Sequence, residues 1–181
     1  MEFNEYLKEL GDGSVRLGVA DLKRLSGLTP DRADEFARAW PGIDVRRRRR
    51  VVQELFDLAE DNVDLDFDAV FLRGLEDDDA DVRVASIRGL WEHEGTDLIP
   101  PLLQILKCDD SPSVRAEAAL ALGRFVLLAE FGRLREHYFA EVVAGLRRVL
   151  DDPREMQEVR ARAVEAVGPH DSAWVRQAIS E

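Results

Sequence analysis

Three stretches decide how this chain folds: Val82-Arg83-Val84-Ala85-Ser86-Ile87-Arg88-Gly89-Leu90, Val114-Arg115-Ala116-Glu117-Ala118-Ala119-Leu120-Ala121-Leu122 and Val159-Arg160-Ala161-Arg162-Ala163-Val164-Glu165-Ala166-Val167. Each reads Val-Arg-x-x-small-apolar-x-small-apolar. Self-similarity at a fixed offset is the signature of a repeat architecture, in which each unit is one supersecondary element that cannot bury its apolar face alone.

The neighbourhood of each stretch repeats as well. Acidic residues lead in: Asp77–Asp79 with Asp81, Asp109-Asp110, and Asp151-Asp152. Upstream lies a second amphipathic segment in each case, Phe67–Leu75, Leu98–Leu106 and Val142–Leu150. The predicted unit is a helical hairpin, an A helix followed by a B helix. Ala, Leu, Arg and Glu dominate and lose little rotamer freedom in a helix; threonine occurs only at Thr29 and Thr96. Helices throughout and no sheet are therefore expected. Thr29-Pro30, Ser111-Pro112 and Asp152-Pro153 each place a capping side chain before a proline at the first helical position. Gly168-Pro169 reads as a stop with glycine in the left-handed turn, and Trp40-Pro41-Gly42 as another stop.

This pattern resembles the HEAT-repeat family, in particular the short bacterial HEAT-like repeats also found in phycobilisome lyases. The resemblance covers roughly residues 64–181, with a degenerate unit at 30–61. It implies an all-α chain, a right-handed α-solenoid of stacked antiparallel helical hairpins. It also implies that the recurring arginines, Arg83, Arg115 and Arg160, form a ladder to the acidic turns of adjacent units. Aligning Leu55 with Leu122 puts Arg48 in the arginine position of the first unit, with Arg47 where valine is usual.

Spacing refines the organisation. Arg83 and Arg115 are 32 residues apart and Arg115 and Arg160 are 45 apart, leaving about 13 extra residues within Phe125–Phe139. These are read as a longer B helix plus a short extra turn. Residues 1–28 are expected to form an N-terminal helical cap, with hairpins at about 30–61, 64–93, 96–129 and 134–168 and a half repeat at 171–181. Trp174-Val175-Arg176-Gln177-Ala178-Ile179 falls where a further A helix belongs. The reading favours a piece of a longer array, whose open half repeat offers a surface for self-association.

Candidate chemistry is sparse. The chain carries 25 Lys and Arg against 37 Asp and Glu, a net charge of −12, which repels nucleic acid over most of the surface. Arg46–Arg50 invites a phosphate-binding reading, and some helical-repeat proteins of related architecture are DNA glycosylases. A helix nevertheless spreads five successive residues around its circumference, and Glu54, Asp57, Glu60 and Asp61 follow at pairing distance, so a solvated face is expected and no nucleic-acid partner. Asp64, Asp66 and Asp68, like Asp77, Asp79 and Asp81, have calcium-loop spacing but lack the glycine at position six and the glutamate at position twelve, so they are read as helix caps. His93, His137 and His170 lie too far apart for a helical zinc pair, and each is read as a loop or helix-end residue. Cys108, the single cysteine, is expected to be buried as a small hydrophobe. No phosphate-binding, dinucleotide or nucleophile-elbow motif is present. There is no apolar run near the length of a membrane span and no leader-like amino terminus, and a reduced, cytoplasmic protein is expected.

The function expected is a non-enzymatic scaffold, without cofactor, metal or membrane, that holds a protein or peptide on a concave face lined by B helices. Arg88, Trp91 and Arg124 are the candidate partner contacts on that face, although packing of Trp91 against the next hairpin is the favoured role. The resemblance to phycobilisome-lyase repeats implies a bilin lyase-like accessory protein as an alternative. Nucleic-acid binding through Arg46–Arg50 is a third.

Overall fold

The computed structural model describes residues 2–170 and Val175. Among them helices and turns account for the architecture and there is no strand. The helices are α1 (Phe3–Gly11), α2 (Val19–Leu22), α3 (Pro30–Ala39), α4 (Val45–Asp61), α5 (Asp68–Gly74), α6 (Ala80–Gly89), α7 (Ile99–Cys108), α8 (Pro112–Glu130), α9 (Glu136–Asp151) and α10 (Gln157–Val167). Apart from Val175, the half repeat proposed at 171–181 lies outside the described residues.

The chain divides into two compact units, Met1–Glu92 and His93–Glu181. In the first, α3 packs on α5 and α4 on α6, so like helices stack on like. The amino-terminal segment joins this scheme: α1 packs on α3 and α2 on α4. In the second unit α7 packs on α9 and α8 on α10, with α7–α8 and α9–α10 closing as hairpins. Each unit has its own apolar seam, with Phe36, Val51, Leu55, Val70 and Phe71 in the first and Leu102, Val114, Leu122, Phe125 and Leu146 in the second, all almost fully buried. Burying such a side chain contributes about 1.5–3 kcal/mol, which no single hairpin could collect on its own.

Small residues in and just after the repeat let helices approach closely. A Cβ on Gly89 would stand 2.4 Å from the Phe71 ring, and one on Gly123 would meet Ala166 Cα of α10 at 2.9 Å. Fully buried Ser86 stands against Gly74 in the same way.

The extra residues after Phe125 lengthen both partners. α8 runs 19 residues against 10 in α6, and α9 runs 16 against 10 in α7. α8 then stops on a left-handed Gly132 (φ +68°), with Arg133 N–H donating to the Leu128 carbonyl. This six-to-one bond satisfies a carbonyl orphaned by the helix end.

Several terminus expectations are corrected. Pro30 and Pro112 do begin helices, but neither Thr29 nor Ser111 caps with its side chain; Ser111 Oγ instead lies 2.8 Å from Ser113 Oγ. Asp152-Pro153 opens a turn rather than a helix: Asp152 Oδ1 accepts from Arg154 N–H and α10 starts only at Gln157. An aspartate before proline satisfies turn geometry as readily as helix geometry. Gly168 stays right-handed (φ −50°, ψ −38°), so the stop falls to Pro169, which cannot continue the helix. Cys108 is exposed. The buried positions of α7 are Ile99, Leu102 and Leu106, and a residue two beyond Leu106 is rotated about 200° away from that face.

Candidate functional site

The acidic turns share one local design. Asp77, Asp109 and Asp152 each accept, through Oδ1, the backbone N–H two residues on, at 2.9 Å. Such Asx turns orient the backbone without help from the rest of the fold. The main-chain carbonyl of Asp77 then accepts Arg83 Nη1 at 2.7 Å, and that of Asp109 accepts Arg115 Nη1 at 2.7 Å. Arg48 does the same with the Ile43 carbonyl at 2.8 Å.

Arg115 and Arg48 each reach a second turn as well. Arg115 Nε and Nη2 donate to the two carboxylate oxygens of Glu155 at 3.1 and 2.7 Å, linking the hairpin α7–α8 to the turn before α10. This fork raises the Arg115 pKa and holds the Glu155 carboxyl below its ordinary value, the hydrogen bond being the main cause in both. Arg48 Nη2 donates to Asp77 Oδ1 at 3.2 Å, while Nε lies 2.9 Å from Oδ2 in an ion-pair contact. The turn before α10 is two residues longer, so Arg160 stands eight residues after Asp152 where Arg83 and Arg115 stand six after Asp77 and Asp109. Arg160 is exposed.

Asp77 has a partner that the spacing did not disclose. Trp40 Nε1 donates to its Oδ2 at 2.7 Å, and Trp40, Arg48 and Asp77 are all buried. The Trp40-Pro41-Gly42 stop is a 3-10 turn that delivers the indole to the carboxylate. Low local dielectric strengthens these contacts and makes each of them costly to lose.

The expectation of a solvated face for Arg46–Arg50 is corrected at its centre. Arg47 and Arg48 are buried. Arg47 donates to the Leu10 and Val15 carbonyls at 2.7 Å each, tying the α1–α2 connection onto α4; burial lowers its pKa. Of the exposed members, Arg49 pairs with Asp79 and Asp81 at 2.5 and 2.8 Å, and Arg50 with Glu54 at 2.9 Å. The Asp79 carboxyl is lowered chiefly by its hydrogen bond from Arg49, and Asp79 also caps α6 by accepting Val82 N–H. The helical rotation of 100° per residue scatters the five side chains, and no single basic stripe results.

The remaining candidates lie on the second helices. Arg88 is exposed near the end of α6, and Trp91, 50% exposed, follows it, so packing satisfies only half of the indole surface. In the second unit Arg124 is half-buried on α8, its guanidinium carbon 5.1 Å from the Phe125 ring centre. On the side of α8 opposite Leu122 and Phe125, Leu120, Leu127 and Phe131 are 38%, 42% and 68% exposed. Their spacing of seven and four residues puts them on one stripe, a signal readable from the sequence once α8 is known to continue to Glu130. His93, His137 and His170 stand at or just beyond helix ends, His170 Nδ1 lying 2.6 Å from Glu130 Oε1. Among the described residues no cluster of His, Cys, Asp and Glu suited to a metal forms, and no helix is long and apolar enough to cross a membrane.

Stacked hairpins, like helix on like, joined by arginine-to-acid links and an apolar seam, define an α-solenoid repeat protein. A family model described as HEAT repeats matches residues 69–168, more than half of the chain. The chain belongs to the HEAT-repeat family. Among curated proteins none matches it.

Proposed function

We propose that the protein is a non-enzymatic scaffold that holds a protein or peptide segment on the face presented by its B helices. HEAT repeats are commonly protein-interaction modules, and the observation that carries the reading here is the apolar stripe of Leu120 and Leu127 on α8 with Phe131 at its C-cap. Three large exposed apolar side chains along one side of a helix and its C-cap mark an interaction surface, whereas scattered ones need no explanation. Arg124 on the same helix, and separately Arg88 and Trp91 at the end of α6 in the first unit, are the polar and aromatic anchors, in keeping with the enrichment of Trp and Arg at binding hot spots. The three histidines, at or beyond helix ends, and the exposed Cys108 provide no assembled acid, base and nucleophile. With Arg47 and Arg48 engaged inside the first unit, the basic run offers little to a phosphate backbone.

The test is recovery of a partner by the tagged full-length chain, against a Leu120→Ser/Leu127→Ser/Phe131→Ser variant of equal thermal stability. The wild-type chain is expected to recover a specific protein that the variant loses. Repeated recovery of none, or equal recovery by both, overturns the reading.

A further inference from the structure

In the first unit, the outward face of α4 and the start of α2 enclose an open groove of about 400 Å³. Resting on the scaffold reading, we propose that this groove is a docking site for a basic peptide segment, one alternating lysine or arginine with aliphatic residues. Its apolar wall is Val19, 52% exposed, with half-buried Leu58 beside it. A valine left half in water at the mouth of a groove gives the aliphatic stem of a long cationic side chain, or a neighbouring leucine, a surface to cover.

The charge along the groove is one-sided. Its lining carries the carboxylates of Glu54, Asp57 and Asp61 against the single guanidinium of Arg50. Arg50 and Glu54 answer each other at 2.9 Å, which leaves Asp57 and Asp61 as the unbalanced charge. Gln53 Nε2 donates to Asp57 Oδ1 at 2.9 Å, steadying a carboxylate on an exposed residue. Asp57 and Asp61 are exposed and one helical turn apart, about 5–6 Å between Cβ atoms. Two carboxylates at that separation beside an apolar wall match successive cations of an extended basic segment, and the net charge of −12 steers such a segment in from a distance. Nucleic acid and anionic lipid surfaces carry the wrong sign for this groove.

The test uses the full chain and fluorescein-labelled ten-residue peptides that alternate Lys with Leu, Lys with Gly, or Glu with Leu, read by fluorescence anisotropy. The Lys/Leu peptide is expected to bind, more weakly as salt rises, and the Glu/Leu peptide not to bind. Asp57→Asn/Asp61→Asn should weaken Lys/Leu binding about fivefold to tenfold, the sum of two exposed charge contacts. The charge-matched control Asp31→Asn/Asp34→Asn, on exposed positions of α3, should weaken it less than twofold. Val19→Ser should weaken the Lys/Leu peptide about threefold and leave the Lys/Gly peptide unchanged. Equal weakening by the two double variants, or Lys/Gly binding as tight as Lys/Leu, overturns the site and leaves only general attraction to an acidic protein. If the partner recovered by the wild-type chain is still held fully by Asp57→Asn/Asp61→Asn, the groove is overturned and the scaffold reading stands. Binding of the Lys/Leu peptide at the groove while no cellular partner is ever recovered supports the groove and counts against the scaffold.

Discussion

Replacing Asp77 by alanine removes the acceptor at the centre of the first unit. Arg48 and Asp77 side chains are only 11% and 2% exposed, so the change leaves a guanidinium buried with its Ile43 carbonyl contact and no carboxylate. Breaking a buried pair in this way costs about 3–5 kcal/mol, and the orphaned Trp40 indole N–H, itself worth about 1–3 kcal/mol when left unsatisfied, is part of that loss. Set against a typical total stability of about 5–15 kcal/mol, Asp77→Ala is expected to remove about a fifth or more of it. Urea unfolding followed by tryptophan fluorescence and by helical circular dichroism measures the loss, and the two probes together reveal whether the units unfold in one step. Arg48→Ala and the double variant complete a cycle, in which a coupling of about 2–3 kcal/mol is expected. The exposed pair gives the reference: Arg50→Ala should cost less than about 0.5 kcal/mol. An Asp77→Ala loss no larger than that of Arg50→Ala, or additivity in the cycle, would refute the reasoning from burial.

Three further outcomes follow from the same geometry. The Glu155 carboxyl is held below its ordinary value of 4.5 by Arg115, so its stabilising contribution is complete above that pH and fades as pH falls through the lowered value; thermal melts between pH 6 and 3 should show a shallower decline for Glu155→Gln than for the wild type. Gly89→Ala would press a methyl group 2.4 Å from the Phe71 ring, and overpacking of about 1–3 kcal/mol should outweigh the gain of up to 1 kcal/mol in helix propensity. Phe71→Leu should partly relieve it, which a calorimetric comparison of single and double variants checks. Arg47→Met should free the α1–α2 connection from α4, seen as faster proteolysis within residues 11–18 with little change in the second unit.

The repeat was legible because it is local. Val-Arg-x-x-small-apolar-x-small-apolar in three copies states both the helical period and the close approach of neighbours, and Gly89 stands where that pattern calls for a small residue. Helix ends were less legible. Asp152-Pro153 and Ser111-Pro112 look alike in sequence, yet one opens a turn and the other a helix, because proline satisfies both geometries and the packing beyond it decides. Cys108 was misjudged because burial depends on rotation around α7, and the two residues beyond Leu106 carry it to the opposite side.

The contacts between units of the repeat belong to the tertiary structure. Arg48 and Arg115 could be picked out by register, but their acceptors, Asp77 and Glu155, lie 29 and 40 residues away, and Trp40 joins Asp77 across 37. Nothing in local spacing states those pairings. Arg46–Arg50 shows the division most sharply. Composition makes it five equal charges, whereas the position of α1 and of the Asp77 turn sends two inward, pairs two with acids and leaves Arg46 on the surface. By itself the sequence determined that hairpins would form and stack, since periodicity and small residues act over a few turns. Which charges are consumed inside the stack, and which grooves remain on its surface, was decided only when distant segments met, because desolvation and pairing depend on what lies across a helix rather than along it.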